Sequence, residues 1–204
     1  MADKQIIANN ERQQHQRQPQ QPQQPPILGY PGLKFDPCDH ELIKNFLEKK
    51  INGIELRYNP MYEVNIYEYH PRDLTERCNP QGKNDVWYFF TTREKRNKFG
   101  VRPARNVGDN GFWKAMGSDI KIRDDVDENK VIGLRKSLNY FEGRQSGVDK
   151  SETTTEWRMH EYQTIDQVES SKAKIEEQKR NRHAPTSMRL DVVLCKIFCK
   201  KEAA

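Results

Sequence analysis

No run of apolar residues in this 204-residue sequence approaches the ~20 that a membrane-spanning helix needs. The longest, VWYFF at 86–90, is short and aromatic. Ile6, Ile7 and Ala8 are followed at once by polar residues, so the apolar heart of a signal peptide is missing. Cysteine is scarce. Cys38, Cys78, Cys195 and Cys199 are the four present, and none forms a C-x-x-C pair. That pattern reads as reduced intracellular thiols rather than a disulfide framework. Cys195 and Cys199 have no histidine nearby in sequence, so no metal and no cofactor are expected. The catalytic signatures G-x-G-x-x-G, Walker A, G-x-S-x-G and H-E-x-x-H are all missing. The five histidines are scattered. His160 adjoins Glu161 in a strand-like run, where neighbours face opposite sides. Cys38 and His40 are two apart in an expected helix and should not share a face. The expectation is a protein that is not an enzyme, with no membrane partner and no small-molecule substrate.

What is present is charge. Lys, Arg, Asp and Glu make up 32% of the chain, with a net charge of +5. So modest an excess matters through its distribution rather than its total. Residues 13–26 are almost only Gln and Pro. They bury too little apolar area to offset the entropy of ordering. Residues 1–26 therefore read as a disordered tail, either solvated or a Gln-rich contact surface. Residues 27–204 suffice for one domain. Leu42, Ile43, Phe46, Leu47 and Ile51 recur at helical spacing, with Lys44, Glu48 and Lys49 opposite. A helix over 37–51 follows, with Asp36 as its cap, Pro37 at its first position, and Asp39 and Glu41 in its first turn. Asn59-Pro60 repeats the cap signal and predicts a second, shorter helix broken by Pro71. Short aromatic and β-branched runs then appear at 86–91, 112–116, 131–141, 156–162 and 190–198, several of them alternating with polar residues. With no helix of useful length between them, a parallel βαβ arrangement is not expected. The fold class is α+β: a twisted antiparallel β-sheet flanked by a few N-terminal helices. Residues 170–185, charged and without apolar periodicity, read as an exposed loop.

The window 91–123 concentrates the positive charge. Its nine basic residues (Arg93, Lys95, Arg96, Lys98, Arg102, Arg105, Lys114, Lys121, Arg123) against Glu94, Asp109 and Asp119 give a local +6. Phe99, Phe112 and Trp113 are interleaved. Lysine and arginine neutralise phosphates, and arginine also reads guanine edges bidentately, so the window suits nucleic acid. It equally suits a solvated charged hairpin with core aromatics. The first reading requires these side chains to project from one side of the sheet. Arg135, Lys136 and Arg144 form a second cluster. Lys172, Lys174, Lys179, Arg180 and Arg182 form a third, either a nuclear-localisation signal or a charged loop.

Seven segments, in order, resemble the signatures of the plant NAC family of transcription factors. They are GLKFDPCDHEL (32–42), DVWYFFTTR (85–93), GVRPAR (100–105), GFWKAMGSD (111–119), IGLRKSLNYF (132–141), EWRMHEY (156–162) and DVVLCKIF (191–198). The family forms are GFRFHPTDEEL, EWYFFSPR, GxRPNR, GYWKATGTD, VGIKKALVFY, NWIMHEY and DWVLCRIY. The resemblance implies a dimeric, nuclear, sequence-specific binder of double-stranded DNA, acting as a homodimer or as a heterodimer with other NAC proteins. The W-K-A-x-G strand would read the major groove, placing Lys114 there beside Phe112 and Met116. Arg93, Arg96, Arg102, Arg105, Lys121 and Arg123 would meet phosphates or base edges, with Arg135, Lys136 and Arg144 as further phosphate contacts. The dimer contact would fall on Leu33, Lys34, Phe35 and Glu41.

Several positions depart from the family pattern. Lys34 replaces arginine, so bidentate pairing with Glu41 across the dimer is lost. Met116 replaces threonine, and Ile120 replaces lysine. Residues 146–156 form a longer segment than usual and place Asp149 and Glu152 near the expected DNA face. The alternative function is a dimerisation module with weakened DNA binding that restrains full-length relatives.

Overall fold

The computed structural model describes residues 35–82, 85–96, 102–144, 151–180 and 189–200. The tail expected over 1–26 lies outside the described residues, as do Leu33 and Lys34.

The first helix, α1, covers 39–51, with α-helical turns at Asp39–Glu41 and Glu48–Ile51 around a π-helical stretch, Leu42–Leu47. It starts two residues later than Asp36-Pro37 suggested. Cys38 is the cap, and the Glu41 carboxylate accepts a hydrogen bond from the Cys38 backbone N–H at 2.9 Å. Leu42, Ile43 and Leu47 are fully buried on its inner face.

Asn59-Pro60 opens no helix. The Asn59 side chain accepts a hydrogen bond from the Met61 N–H at 3.1 Å, turning the chain into strand β1 (Tyr62–Glu63). A single 3-10 turn, Ile66–Glu68, follows. Pro71 then begins helix α2 (Pro71–Arg77) rather than breaking one. A proline at the first helical position gives up only an N–H that has no intrahelical partner anyway. His70 caps this helix, its Nδ1 accepting from the Arg72 N–H at 3.1 Å.

The remaining strands are β2 (Val86–Glu94), β3 (Gly111–Arg123), β4 (Val131–Arg144), β5 (Ser151–Thr164) and β6 (Arg189–Cys199). They form one six-stranded sheet in the order β1-β2-β6-β5-β4-β3. Only the β1–β2 pair is parallel. The α+β class is the one expected, but β1 with its parallel pairing and helix α2 were not, and a third helix is added. Helix α3 (Ile165–Arg180) joins β5 to β6 where a loop was anticipated. Its residues are mostly strong helix formers, and propensity carries a helix whose exposed positions show no apolar period. Thr164 and Gln167 close its start. The Thr164 hydroxyl accepts from the Gln167 N–H at 3.2 Å, and the Gln167 side chain accepts from the Thr164 N–H at 3.1 Å. That is a Thr-x-x-Gln capping box.

Strand alternation divides the core between the two faces of the sheet. Trp87, Phe89, Trp113, Leu138, Tyr140, Trp157, Met159, Val193, Cys195 and Ile197 pack on one face with Tyr62, Ile66 and Leu74. Tyr88, Phe90, Ile122, Tyr162 and Leu194 pack on the other against Leu42, Ile43 and Leu47 of α1. Gly133 sits beneath α1, where an added Cβ would lie 2.6 Å from the Gln163 carbonyl oxygen of β5 and 2.9 Å from Ile43 Cδ1, so the backbone of the neighbouring strand leaves room only for glycine.

Candidate nucleic-acid interface

Strand β3 occupies one edge of the sheet and is paired only through β4 among the described strands. Its first residues are buried and its later ones exposed. The register against β4 breaks between Met116 and Ile120, where Gly117 takes a left-handed φ of +65°. Two extra residues are accommodated there, and such a bulge re-aims the side chains around it. Met116 is 41% exposed, and Ile120, Lys121 and Arg123 are exposed beyond it. Arg123 Nη1 donates to the Glu128 carbonyl at 2.6 Å, bracing the turn into β4.

Lys114 lies on this strand with its side chain 40% exposed. Its ammonium sits 5.0 Å from the centre of the Phe141 ring. Phe141 in turn stacks on Phe112 with centroids 5.6 Å apart and planes 9° from parallel. Phe112 is buried, so it supports the platform under Lys114 instead of meeting a ligand itself. The ammonium donates to both carboxylate oxygens of Glu152, at 2.9 and 3.1 Å.

Arg93 and Arg105 of the same window do not share that face. Arg93 extends from the end of β2 into the interior, its side chain only 6% exposed, and donates to Glu161 at 3.1 Å. Arg105 reaches the same carboxylate oxygen at 3.0 Å. The Tyr67 hydroxyl donates to the other oxygen at 3.2 Å. Glu161 is completely buried. Burial pushes its carboxyl pKa up, but the Arg93 and Arg105 guanidiniums outweigh this and hold it below the ordinary range. The requirement that the whole basic window project from one side of the sheet is therefore not met. Lys114 stands on one face and the Arg93–Glu161–Arg105 cluster on the other, because the strands alternate and Glu161 supplies an interior counter-charge.

Backbone bonds tie the intervening segment to both strands. The Ala104 N–H donates to Glu94 O at 2.7 Å, Arg96 N–H to Arg102 O at 2.9 Å, and Trp113 N–H to Arg105 O at 2.8 Å. Arg96 and Arg102 are exposed along this segment. Anchoring Arg105 thus holds the chain close to Arg102 and Ala104.

The second cluster also divides. Lys136 pairs with Asp119 of the β3 bulge. Arg135 donates to Asp39 at 2.6 Å, and the Tyr162 hydroxyl donates to the same carboxylate at 2.8 Å, which fastens α1 to the sheet. Arg144 is exposed at the end of β4. His160, next to Glu161 but on the opposite face, has its pKa lowered to about 4, first by burial and then by Arg135.

Of the residues expected at a dimer contact, Phe35 packs edge-on against Tyr88 and Phe46, with centroids 5.0 and 5.4 Å away. Glu41 is engaged in its own helix cap. Cys38 departs from the sequence reading. As an extended cap residue it lies outside the helix, and its sulfur comes within 3.2 Å of His40 Nδ1. Burial, and then the neighbouring Glu41, raise the pKa of this thiol, the opposite of what an activated nucleophile needs. Among the described residues no group of His, Cys, Asp or Glu could hold a metal ion, and no helix is long and apolar enough to cross a membrane.

A family model described as "No apical meristem (NAM) protein" matches residues 30–164, which run from before α1 to the end of β5. The chain belongs to the NAC family. It is 36% identical over 170 residues to NAC domain-containing protein 22 of Oryza sativa subsp. japonica, an alignment covering 83% of this chain and 48% of that protein. It is 35% identical over 172 residues to NAC domain-containing protein 71 of the same plant, covering 84% and 48%. With NAC domain-containing protein 96 of Arabidopsis thaliana it shares 35% over 136 residues, covering 67% of this chain and 44% of the relative. The chain thus matches about half the length of these curated relatives. NAC proteins are generally transcription factors. Within this NAC domain, the W-K-A-x-G segment is the edge strand β3, and the family's M-H-E-Y segment supplies the buried Glu161.

Proposed function

We propose that this NAC domain binds double-stranded DNA in a sequence-dependent way, as a dimer, in the nucleus, with strand β3 entering the major groove. The observation that carries this reading is the edge position of β3 combined with its exposed bulge. A strand edge bearing Lys114, Met116 and Lys121 fits a groove about 12 Å wide, where lysine reaches guanine acceptors and an apolar side chain meets a thymine methyl. Arg96, Arg102, Arg123 and Arg144, exposed on the segments around it, are assigned to phosphates. Arg93 and Arg105 are assigned to joining the end of β2 and the approach to β3 through Glu161, and Arg135 to holding α1. Selection of binding sites from a pool of random duplexes, run at two salt concentrations, tests the proposal. Recovery of a common sequence, with affinity falling as salt rises, is expected.

A second reading is favoured by one specific feature. Lys114 and Lys136 already hold carboxylate partners in Glu152 and Asp119. A domain so neutralised would bind DNA weakly and act by dimerising with full-length relatives. Tight binding of the homodimer to a selected duplex would rule this out.

A further inference from the structure

We infer that Glu152 limits affinity at the proposed DNA-reading site, acting as an internal competitor for the ammonium of Lys114; this rests on the reading of β3 given above. The placement is built from both sides. The Phe112–Phe141 stack lies under the Lys114 ammonium and fixes its position on the sheet. Glu152 stands in register with Gly143 of β4, a residue with no side chain of its own to intervene. From there both carboxylate oxygens come within hydrogen-bond distance of Lys114 Nζ. The two residues lie 38 positions apart, so the contact is a product of the β3–β4–β5 register.

Two of the three N–H donors of the ammonium are directed at Glu152, so Lys114 cannot serve a pair of guanine acceptors without giving up a bond to that carboxylate. The incoming strand also brings negative charge towards the carboxylate. Lys114 is therefore drawn off only where it gains more from the bases than it loses from Glu152. Generic phosphate contact does not meet that condition, whereas a well-placed pair of guanine acceptors does. Glu152 thus lowers affinity most for the sequences that draw Lys114 away from it, while a duplex that leaves Lys114 on Glu152 gives up only a generic contact.

The experiment measures affinity for two duplexes, one selected by the wild-type chain from a random pool and one of scrambled sequence, at low salt. Wild type is compared with Glu152→Gln, Lys114→Ala, the double variant, and Glu128→Gln as a control that removes the same charge from the β3–β4 turn. Because an exposed ion pair is worth little, Glu152→Gln should tighten binding by about two- to fivefold, more for the selected duplex, which has to draw Lys114 off Glu152, than for the scrambled one. The gain should vanish in the Lys114→Ala background and exceed that of Glu128→Gln. An unchanged or weaker affinity for Glu152→Gln, a gain that persists without Lys114, or one no larger than the control's would overturn the inference while leaving the reading of β3 intact. If Lys114→Ala changes nothing, alone or in combination, the reading of β3 fails and the inference with it.

Discussion

Arg93 Nη1 lies 3.1 Å from Glu161 Oε1, inside the protein and on the opposite face of the sheet from Lys114. This contact joins the end of β2 to the middle of β5, and Arg105 extends it to the segment that leads into β3. Removing the carboxylate leaves two guanidiniums buried without their counter-charge. Glu161→Ala should cost about 3–5 kcal/mol of stability, the range for breaking a buried pair from one side. Urea unfolding monitored by circular dichroism measures it, and a loss below 1 kcal/mol would show that the cluster is solvated in solution.

Acid should act on the fold in two stages. His160 is held neutral with a pKa lowered from 6.5 to about 4, so the unfolded chain takes up a proton that the folded one refuses. That contribution is complete above pH 6.5 and disappears as pH falls towards 4. Asp124 is lowered from 3.8 to about 2, chiefly by its hydrogen bond from the Val126 N–H and then by Lys44, while Glu161 is held below its ordinary 4.5. Depressed carboxyl values stabilise above the unfolded pKa and lose that effect as pH falls through the folded one, so a second loss begins below about pH 4.5. His160→Gln should flatten the first stage and leave the second. A stability profile level between pH 6.5 and 4 in the wild type would contradict the assignment.

The capping box before α3 offers a local test. Thr164→Ala removes the hydroxyl that accepts from the Gln167 N–H and should cost about 1 kcal/mol. The same substitution at Thr153, exposed on β5, should change stability by no more than about 0.5 kcal/mol. Equal effects at the two positions would show that the cap is not formed.

Met116 is exposed on β3, so Met116→Thr should leave stability within about 0.5 kcal/mol of wild type. Sites selected from random duplexes should nevertheless change, because a hydroxyl replaces an apolar contact at a base edge. An identical selected sequence would remove Met116 from the readout.

Much of the fold was legible because strand alternation and helical spacing write themselves into the order of residues. Five of the six strands and helix α1 follow from Val86-Trp87-Tyr88, from Leu42, Ile43 and Leu47, and from similar runs. β3 continues beyond the expected 112–116 to Arg123, because the bulge at Gly117 interrupts the alternation that would have extended it. Helix α3 was hidden for the opposite reason, having propensity but no apolar period. Its signal was Thr164 followed three residues later by Gln167. The direction of the arginines was not legible at all. A basic residue looks the same in sequence whether it meets solvent or a buried carboxylate, and Arg93 finds its partner 68 positions away. Glu152 could be placed near Lys114 only in outline, since their contact depends on the register of three strands.

The central claim, that the β3 edge reads duplex DNA through Lys114, is tested most directly by the affinities of wild type and Lys114→Ala for a selected and a scrambled duplex across a salt series. Lys114→Ala should lose about 1–3 kcal/mol on the selected duplex, lose less on the scrambled one, and show a shallower salt slope only if Lys114 also neutralises a phosphate. Equal affinities of the two proteins for the selected duplex, or a wild type that binds both duplexes alike and without regard to salt, would contradict it.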